Sequence, residues 1–356
     1  MREHHFARED LVALARQLLV KGGLEPAKAA VVAELLIRTD EIGVTTHGIS
    51  MVPYYLPELK AGNMTSEGSY QVVRDNAVTM VWDGNYLPGH WLMTRALETC
   101  MERAERYGIA SLAVRRSHHI GCLSTFTRIA AEKGLVCLIA TSDPWGKWVA
   151  PFGGTEPTLT PNPWAVGYPG GNHPVLIDTC ASITTVSKVR EHINSGTRFE
   201  HPWMLDAAGR PTTDPTVVNA EPRGTILPVG GMDHGHKGYA LALMVEMLTQ
   251  GLSGHGRSQR PGRWGANVFL QVMDPEAFGG RDVFGREVKF LNDSCRSNRP
   301  AEGVDRVRVP GDRAYEHLER AKMLGVRIPE EVWARVSACA SELSVPLPGP
   351  IQPGQA

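Results

Sequence analysis

At 356 residues, 42% hydrophobic and 21% charged, the chain is long enough for two domains with cores of their own. A formal net charge of −1 argues against nucleic acid or an anionic membrane surface as the main partner. The six cysteines, Cys100, Cys122, Cys137, Cys180, Cys295 and Cys339, form no CxxC pair and read as reduced thiols. Met1–His5 lacks the apolar core of a secretion signal and no apolar run reaches the length of a membrane span, so a cytoplasmic protein is expected.

Residues 8–38 carry apolar side chains at helical spacing: Leu11, Leu14, Ala15, Leu18 and Leu19, then Ala30, Val31, Leu35 and Leu36. Gly22-Gly23 separates the two runs, which predicts a helical hairpin. A third helix with Tyr54, Tyr55, Leu56 and Leu59 is expected after His47, ended by Gly62-Asn63. From about residue 70 the pattern turns to short β-rich runs at Tyr70–Val73, Val78–Trp82, Ile109–Val114, Leu135–Thr141 and Val175–Asp178. Helical stretches at Trp91–Tyr107, Ser124–Lys133 and 184–195 alternate with them, which implies an α/β layer. Residues 196–235 read as loop-rich, with a turn at Asp206–Pro211; helices follow at Gly238–Leu252, Ala314–Leu324 and Glu330–Leu343. The tail Pro346–Ala356, rich in Pro, Gly and Gln, is expected to be mobile.

No GxGxxG follows a predicted strand: Gly153-Gly154, Gly170-Gly171 and Gly230-Gly231 lack the spacing of a Rossmann phosphate loop. The chemistry-bearing stretches are instead histidine motifs. Asp40-Glu41-Ile42-Gly43-Val44-Thr45-Thr46-His47-Gly48 follows the helical hairpin and suits an imidazole held at the mouth of a cleft. Ser117-His118-His119-Ile120-Gly121 and His234-Gly235-His236-Lys237-Gly238-Tyr239 are the other two. Adjacent His118 and His119 point apart on regular structure and no HxxxH accompanies them, so no metal site is expected.

Taken in order, six stretches resemble the type-2 malate/L-lactate dehydrogenase family, which also holds ureidoglycolate, sulfolactate and diketogulonate dehydrogenases and cyclic-imine reductases. They are Asp40…Gly43…Thr46-His47-Gly48, Ser117-His118-His119-Ile120-Gly121, Pro151-Phe152-Gly153-Gly154 with Thr160-Pro161-Asn162-Pro163, Asp178-Thr179-Cys180-Ala181-Ser182, Lys237-Gly238-Tyr239-Ala240-Leu241, and Pro310-Gly311-Asp312. The resemblance covers residues 8 to 343. It implies an α/β (α+β), non-Rossmann fold in a homodimer. A helical part over 1–70 would pack with C-terminal helices of 238–356, and a mixed-sheet α/β part over 71–237 would bind the cofactor. It implies reversible hydride transfer between NAD or NADP and a small 2-oxo acid, ketone or cyclic imine. By position, His47 and His119 become the catalytic candidates that exchange the substrate's proton, with Thr46 holding the His47 ring. His119, Asp143, Asp178, Thr179, Cys180, Lys237, Gly238, Pro310, Gly311 and Asp312 fall where the cofactor binds.

The chain departs from the family pattern around the substrate. Met51 stands where the family has an arginine that grips a carboxylate, Pro161 replaces a threonine, Arg116 and His118 replace asparagines, and Asp143 replaces a serine or threonine. A bidentate arginine is not replaced silently by a thioether. Three readings follow: a bulkier or less anionic substrate, a carboxylate reached by Arg116, His118 or Lys147, or lost activity. Two other functions compete: a histidine-dependent or metal hydrolase built on His47, His119 and Asp206, and a catalytically silent dimeric family member.

Overall fold

A computed structural model describes residues 3–351; the ends of the chain, including Gln352–Ala356 of the expected mobile tail, lie outside the described residues. Strand β1 (Glu3–Phe6) leads into the predicted hairpin of α1 (Arg8–Lys21) and α2 (Pro26–Glu41). Acidic Glu9 and Asp10 favour the start of α1, and Pro26 opens α2 where no amide partner is needed. Gly23 makes the turn between them at φ +98. A short 3-10 turn, Ile49–Met51, delivers α3 (Val52–Lys60). Leu11, Leu14, Leu18, Leu36, Ile37 and Tyr55 interlock in one apolar core.

The sheet follows. Strands β2 (Gln71–Asp75) and β3 (Thr79–Asp83) form a hairpin, and α4 (Gly89–Tyr107) crosses over to β4 (Ile109–Ser117), which runs parallel to β3. Then come α5 (Leu123–Glu132), β5 (Val136–Ser142), β6 (Pro163–Tyr168), β7 (Val175–Cys180) and α6 (Val186–Ser195). Short strands β8 (Met204–Leu205), β9 (Pro211–Thr212) and β10 (Thr225–Ile226) make a small separate sheet. Helix α7 (Gly231–Glu246) runs on through a π-helical turn, Met247–Gly251. It starts well before Gly238, with a distortion at His234 (φ −126, ψ 15). Strand β11 (Ala266–Met273), α8 (Arg281–Arg296), α9 (Asp312–Leu324), β12 (Val326–Pro329) and α10 (Glu330–Glu342) complete the chain.

The main sheet has seven strands in the order β2-β3-β4-β11-β5-β6-β7. Only β3 and β4 are parallel; every other neighbouring pair is antiparallel. The late strand β11 is therefore the central one, and its insertion between β4 and β5 closes the layer. Helices α4 and α5 supply Leu92, Met93, Leu97 and Phe126 to the core on this sheet. The C-terminal helices divide. Val332, Val336 and Ala340 of α10 join the core of α1–α3, while Ala242 of α7 joins a smaller core with Val149, Leu159, Val189 and Ile226.

The register fixes what meets at one edge of the sheet. Ser117 at the end of β4 pairs with Ala266 at the start of β11, and Asn267 pairs with Ser142 at the end of β5. Pro163, opening β6, pairs with Cys180, closing β7. The segments that leave these strands, including His118-His119, Asp143 and Pro161-Asn162, are thereby collected on one rim.

Candidate functional site

Two tight loops carry the histidines. At the end of α2 the buried Asp40 accepts a hydrogen bond from the Ile49 amide (2.7 Å), and its second oxygen has no partner. Burial holds this carboxyl well above the usual carboxylate range. A Cβ on Gly48 would occupy the place of the Asp40 carboxylate, which is why the loop needs glycine there. The loop presents His47, half-buried, with its Nδ1 2.8 Å from Thr46 Oγ1.

The second loop springs from an irregularity at the end of β4. The register shifts between Ala266 and Val268, and Arg116 takes φ +53, with its amide donating to Asn267 Oδ1 (3.1 Å). His118 then turns inward and is fully buried, while His119 stays half-buried at the rim. The start of α4 lies against this loop so closely that a Cβ on Gly89 would strike the carbonyls of His118 and His119.

The loops meet. The His47 and His119 rings stack with centroids 5.7 Å apart. Tyr55 of α3, itself buried, places its hydroxyl 2.7 Å from His119 Nδ1. Trp264, just before β11, packs at 4.8 Å from the His118 ring and 5.0 Å from the His119 ring. Loss of water lowers every imidazole here: His47 to about 4, and His90 and His118 to about 3. His119 is pushed well below its ordinary value, by burial first and then by repulsion from His47, His90 and His118. All four are neutral at pH 7. With both Nδ1 atoms engaged by hydroxyls, Nε2 is the nitrogen that His47 and His119 have to offer a ligand.

Residues 6–337 match the family model described as malate/L-lactate dehydrogenase. The chain belongs to the malate/L-lactate dehydrogenase family. It is 33% identical over 343 residues to an L-lactate dehydrogenase of Cupriavidus necator, covering 94% of this chain and 97% of that one. Its fold is similar to that of malate dehydrogenase from Entamoeba histolytica, with a TM-score of 0.90, 26% identity and coverage of 98% and 100% of the two chains. It is also similar to delta1-piperideine-2-carboxylate reductase from Pseudomonas syringae pvar. tomato, with a TM-score of 0.82, 29% identity and coverage of 94% and 99%. The protein is thus an oxidoreductase of this family, and the hydrolase reading is overturned. Asp206, its third member, is taken up in its own turn, accepting from the Ala208 and Arg210 amides (both 2.9 Å) and the Arg210 side chain.

The remaining candidates of this dehydrogenase are spread along β7. At the rim end, Thr179 pairs in register with Trp164, and the Cys180 thiol, raised by burial, donates to the Ser182 carbonyl (3.2 Å). Asp178 accepts from the Ser124 amide (2.8 Å) and so caps α5. Asp143 accepts from the Trp145 amide (2.9 Å), and burial pushes its carboxyl up to about 6. Gly238 presses α7 onto the backbone of Val229 and Ala181, where a Cβ would not fit, and Lys237 beside it is exposed with no ion pair among the described residues. The Pro310–Asp312 turn lies at the other end of β7. Pro310 accepts from the Leu176 amide (3.1 Å), and Asp312 is bound by Arg296 (2.7 Å) and His173 (3.1 Å).

Of the substrate-side candidates, His118 packs beside the histidine pair, sharing Trp264 with His119. Met51 is buried in the apolar core of α1–α3 and α10, the core that also holds Tyr55. Arg116 is committed to the buried Asp83 (2.8 Å) and to Asn85 (3.2 Å), so it is not free to reach a carboxylate. His118 is fully buried, with Nε2 3.4 Å from Glu58. Pro161 accepts from the Ala181 amide (2.9 Å) and pins the end of β7, whereas Lys147 is exposed. Tyr55, Trp264 and His90 escaped the sequence reading. A buried tyrosine or tryptophan at helical or strand spacing reads as core, and only its hydroxyl contact or ring neighbours show otherwise.

Proposed function

We propose that the protein transfers hydride reversibly between a nicotinamide dinucleotide, NAD or NADP, and a small 2-hydroxy acid or its 2-oxo or cyclic-imine counterpart. The observation that carries this reading is the facing of two half-buried, neutral imidazoles at the rim where β7 ends. The relatives' names span this range of substrates, from L-lactate and malate to delta1-piperideine-2-carboxylate.

The donor set along β7 fits such a cofactor. Lys237 is a free cation suited to phosphate, held by the close packing of Gly238 on Ala181, and Thr179 and Cys180 line the same strand end. Asp143, Asp178 and the Pro310–Asp312 turn would complete the site. When bound, the nicotinamide supplies or accepts the hydride. The chain supplies the proton chemistry. A neutral His119 or His47 accepts the hydroxyl proton of a 2-hydroxy acid through Nε2 and returns it in reduction. Tyr55 and Thr46 hold the two rings by Nδ1. Trp264 and the buried His118 keep water from the pair.

Leu243, Met244, Met247 and Leu252 lie exposed along one face of α7 and its π-helical continuation. A second copy of the chain would cover this stripe, giving a homodimer. Val245, on the other side of the helix, is buried. The free cysteines suit a cytoplasmic setting. The test is titration of NADH and NADPH fluorescence, followed by absorbance assays with 2-oxo acids and cyclic-imine carboxylates. Binding of one nucleotide and turnover on that panel is expected; absence of either would sink the reading.

A further inference from the structure

A 2-oxo or cyclic-imine carboxylate turned toward His119 needs a cation, and Met51, Arg116 and His118 do not provide one. Met51 is buried in a core, Arg116 is held by Asp83, and His118 is neutral and enclosed. Helix α6 brings another group. It starts a few residues beyond the rim end of β7, is capped by Thr185, anchors on the buried Val189, and leaves the next residue, Arg190, exposed.

Arg190 of α6 spans the gap between the segment after β5 and helix α3. Its guanidinium lies 5.7 Å from the Trp148 ring centroid and 5.9 Å from that of Tyr54. Tyr54 is the neighbour of Tyr55, whose hydroxyl holds His119. Both aromatic contacts sit at the outer limit for attraction between a cation and a ring, so they orient the guanidinium without consuming it. Among the described residues no carboxylate pairs with Arg190 and none of its N–H groups has a hydrogen-bond acceptor, in contrast to Arg115, Arg257, Arg281 and Arg296. A planar fork of unpaired donors held beside two aromatic rings is suited to bidentate capture of a carboxylate.

We propose that Arg190 grips the carboxylate of the substrate and is the residue that restricts this enzyme to 2-oxo or imine acids. The inference rests on the dehydrogenase reading above. Its charge also reaches His119, where it is among the causes that lower the imidazole's basicity. A carboxylate seated on Arg190 cancels that charge and makes His119 a better proton acceptor at the moment substrate arrives.

The experiment measures binding of two non-reducible carboxylates, oxamate and picolinate, to the full-length enzyme carrying NADH or NADPH. Wild type, Arg190→Gln, Arg190→Lys and Lys147→Gln are compared. Arg190→Gln is expected to weaken the better ligand on the order of 10- to 100-fold, as loss of a charged bidentate contact does. Arg190→Lys should fall between, and Lys147→Gln should stay near wild type. Nucleotide affinity and melting temperature should be unchanged in all variants, and reduction of an uncharged ketone analogue should not fall in Arg190→Gln. Equal carboxylate affinity in wild type and Arg190→Gln, or a loss confined to Lys147→Gln, overturns the assignment while leaving the dehydrogenase reading intact. Nucleotide binding with no affinity for either carboxylate also overturns it. Failure of the wild type to bind either nucleotide overturns the dehydrogenase reading, and this assignment with it.

Discussion

The two rims of the main sheet differ in how they treat polar groups. The rim at the ends of β4, β5 and β7 collects four neutral, water-poor histidines, and His90 Nε2, His118 Nδ1 and Asp40 Oδ1 have no partner there. The opposite rim is closed by arginine–aspartate pairs: Arg103–Asp75, Arg281–Asp274 (2.8 Å) and Arg296–Asp312 (2.7 Å). Arg103 and Arg281 hold Asp75 and Asp274 below the usual carboxylate range. Burial would raise Asp312, but Arg296 outweighs it. One sheet thus has a rim whose carboxylates are paired with arginines, and a dry rim with unmet hydrogen bonds, at which the proton chemistry is proposed.

Removing the imidazole from the dry rim should have the largest effect. His119→Ala, and separately His47→Ala, should lower turnover by roughly two or more orders of magnitude with circular dichroism unchanged. Near wild-type rates for both variants would remove the proton-transfer role. Mild acid should next separate the rims. His90 and His118 are buried and depressed to about 3, against about 6.5 in an unfolded chain, so the unfolded state binds more protons between those values. Their contribution is fully present above pH ~6.5 and falls by about 1.4 kcal/mol per pH unit for each histidine as pH drops toward 3. The paired aspartates lose theirs only below their ordinary value near 4. Urea midpoints should therefore start to fall near pH 6, and a flat midpoint down to pH 4.5 would contradict the buried, neutral assignment.

Smaller changes sharpen the same contrast. Gly48→Ala drives a Cβ into the Asp40 carboxylate and should cost about 1–3 kcal/mol in denaturant titration, with a drop in turnover as His47 shifts. A stability equal to wild type would mean the loop is slack. Lys237→Ala should weaken nucleotide binding more than it slows the chemical step, since a phosphate contact acts in ground and transition states alike. Last, Arg281→Gln on the ion-paired rim should barely move the urea midpoint and leave kcat alone, because Arg281 is half-exposed and its pair is screened. A larger loss would show that the second rim is not merely a surface.

What the sequence by itself determined is local. The spacing of Leu11–Leu19 and Ala30–Leu36, the glycine break between them, and the alternation of strand and helix from residue 70 to 195 set the order of the elements there, all but β6, because helix and strand periods are properties of neighbouring residues. The motif order was enough to place the chain in its family and to single out His47 and His119. The tertiary structure alone decided what those histidines face. Strand β11 went unread because, buried on both sides, it lacks the alternation of a half-exposed strand. Its partners β4 and β5 lie far back in the chain, yet its place between them sets the rim that brings His119, Trp264 and Asp143 to one side. Met51 stands four residues from His47 in the chain, and its burial in the apolar core of α1–α3 and α10 comes from elements remote in sequence. Arg190 carries no motif at all, and its standing as a free guanidinium beside Tyr54 and Trp148 comes from packing between segments remote in sequence, which no local period records.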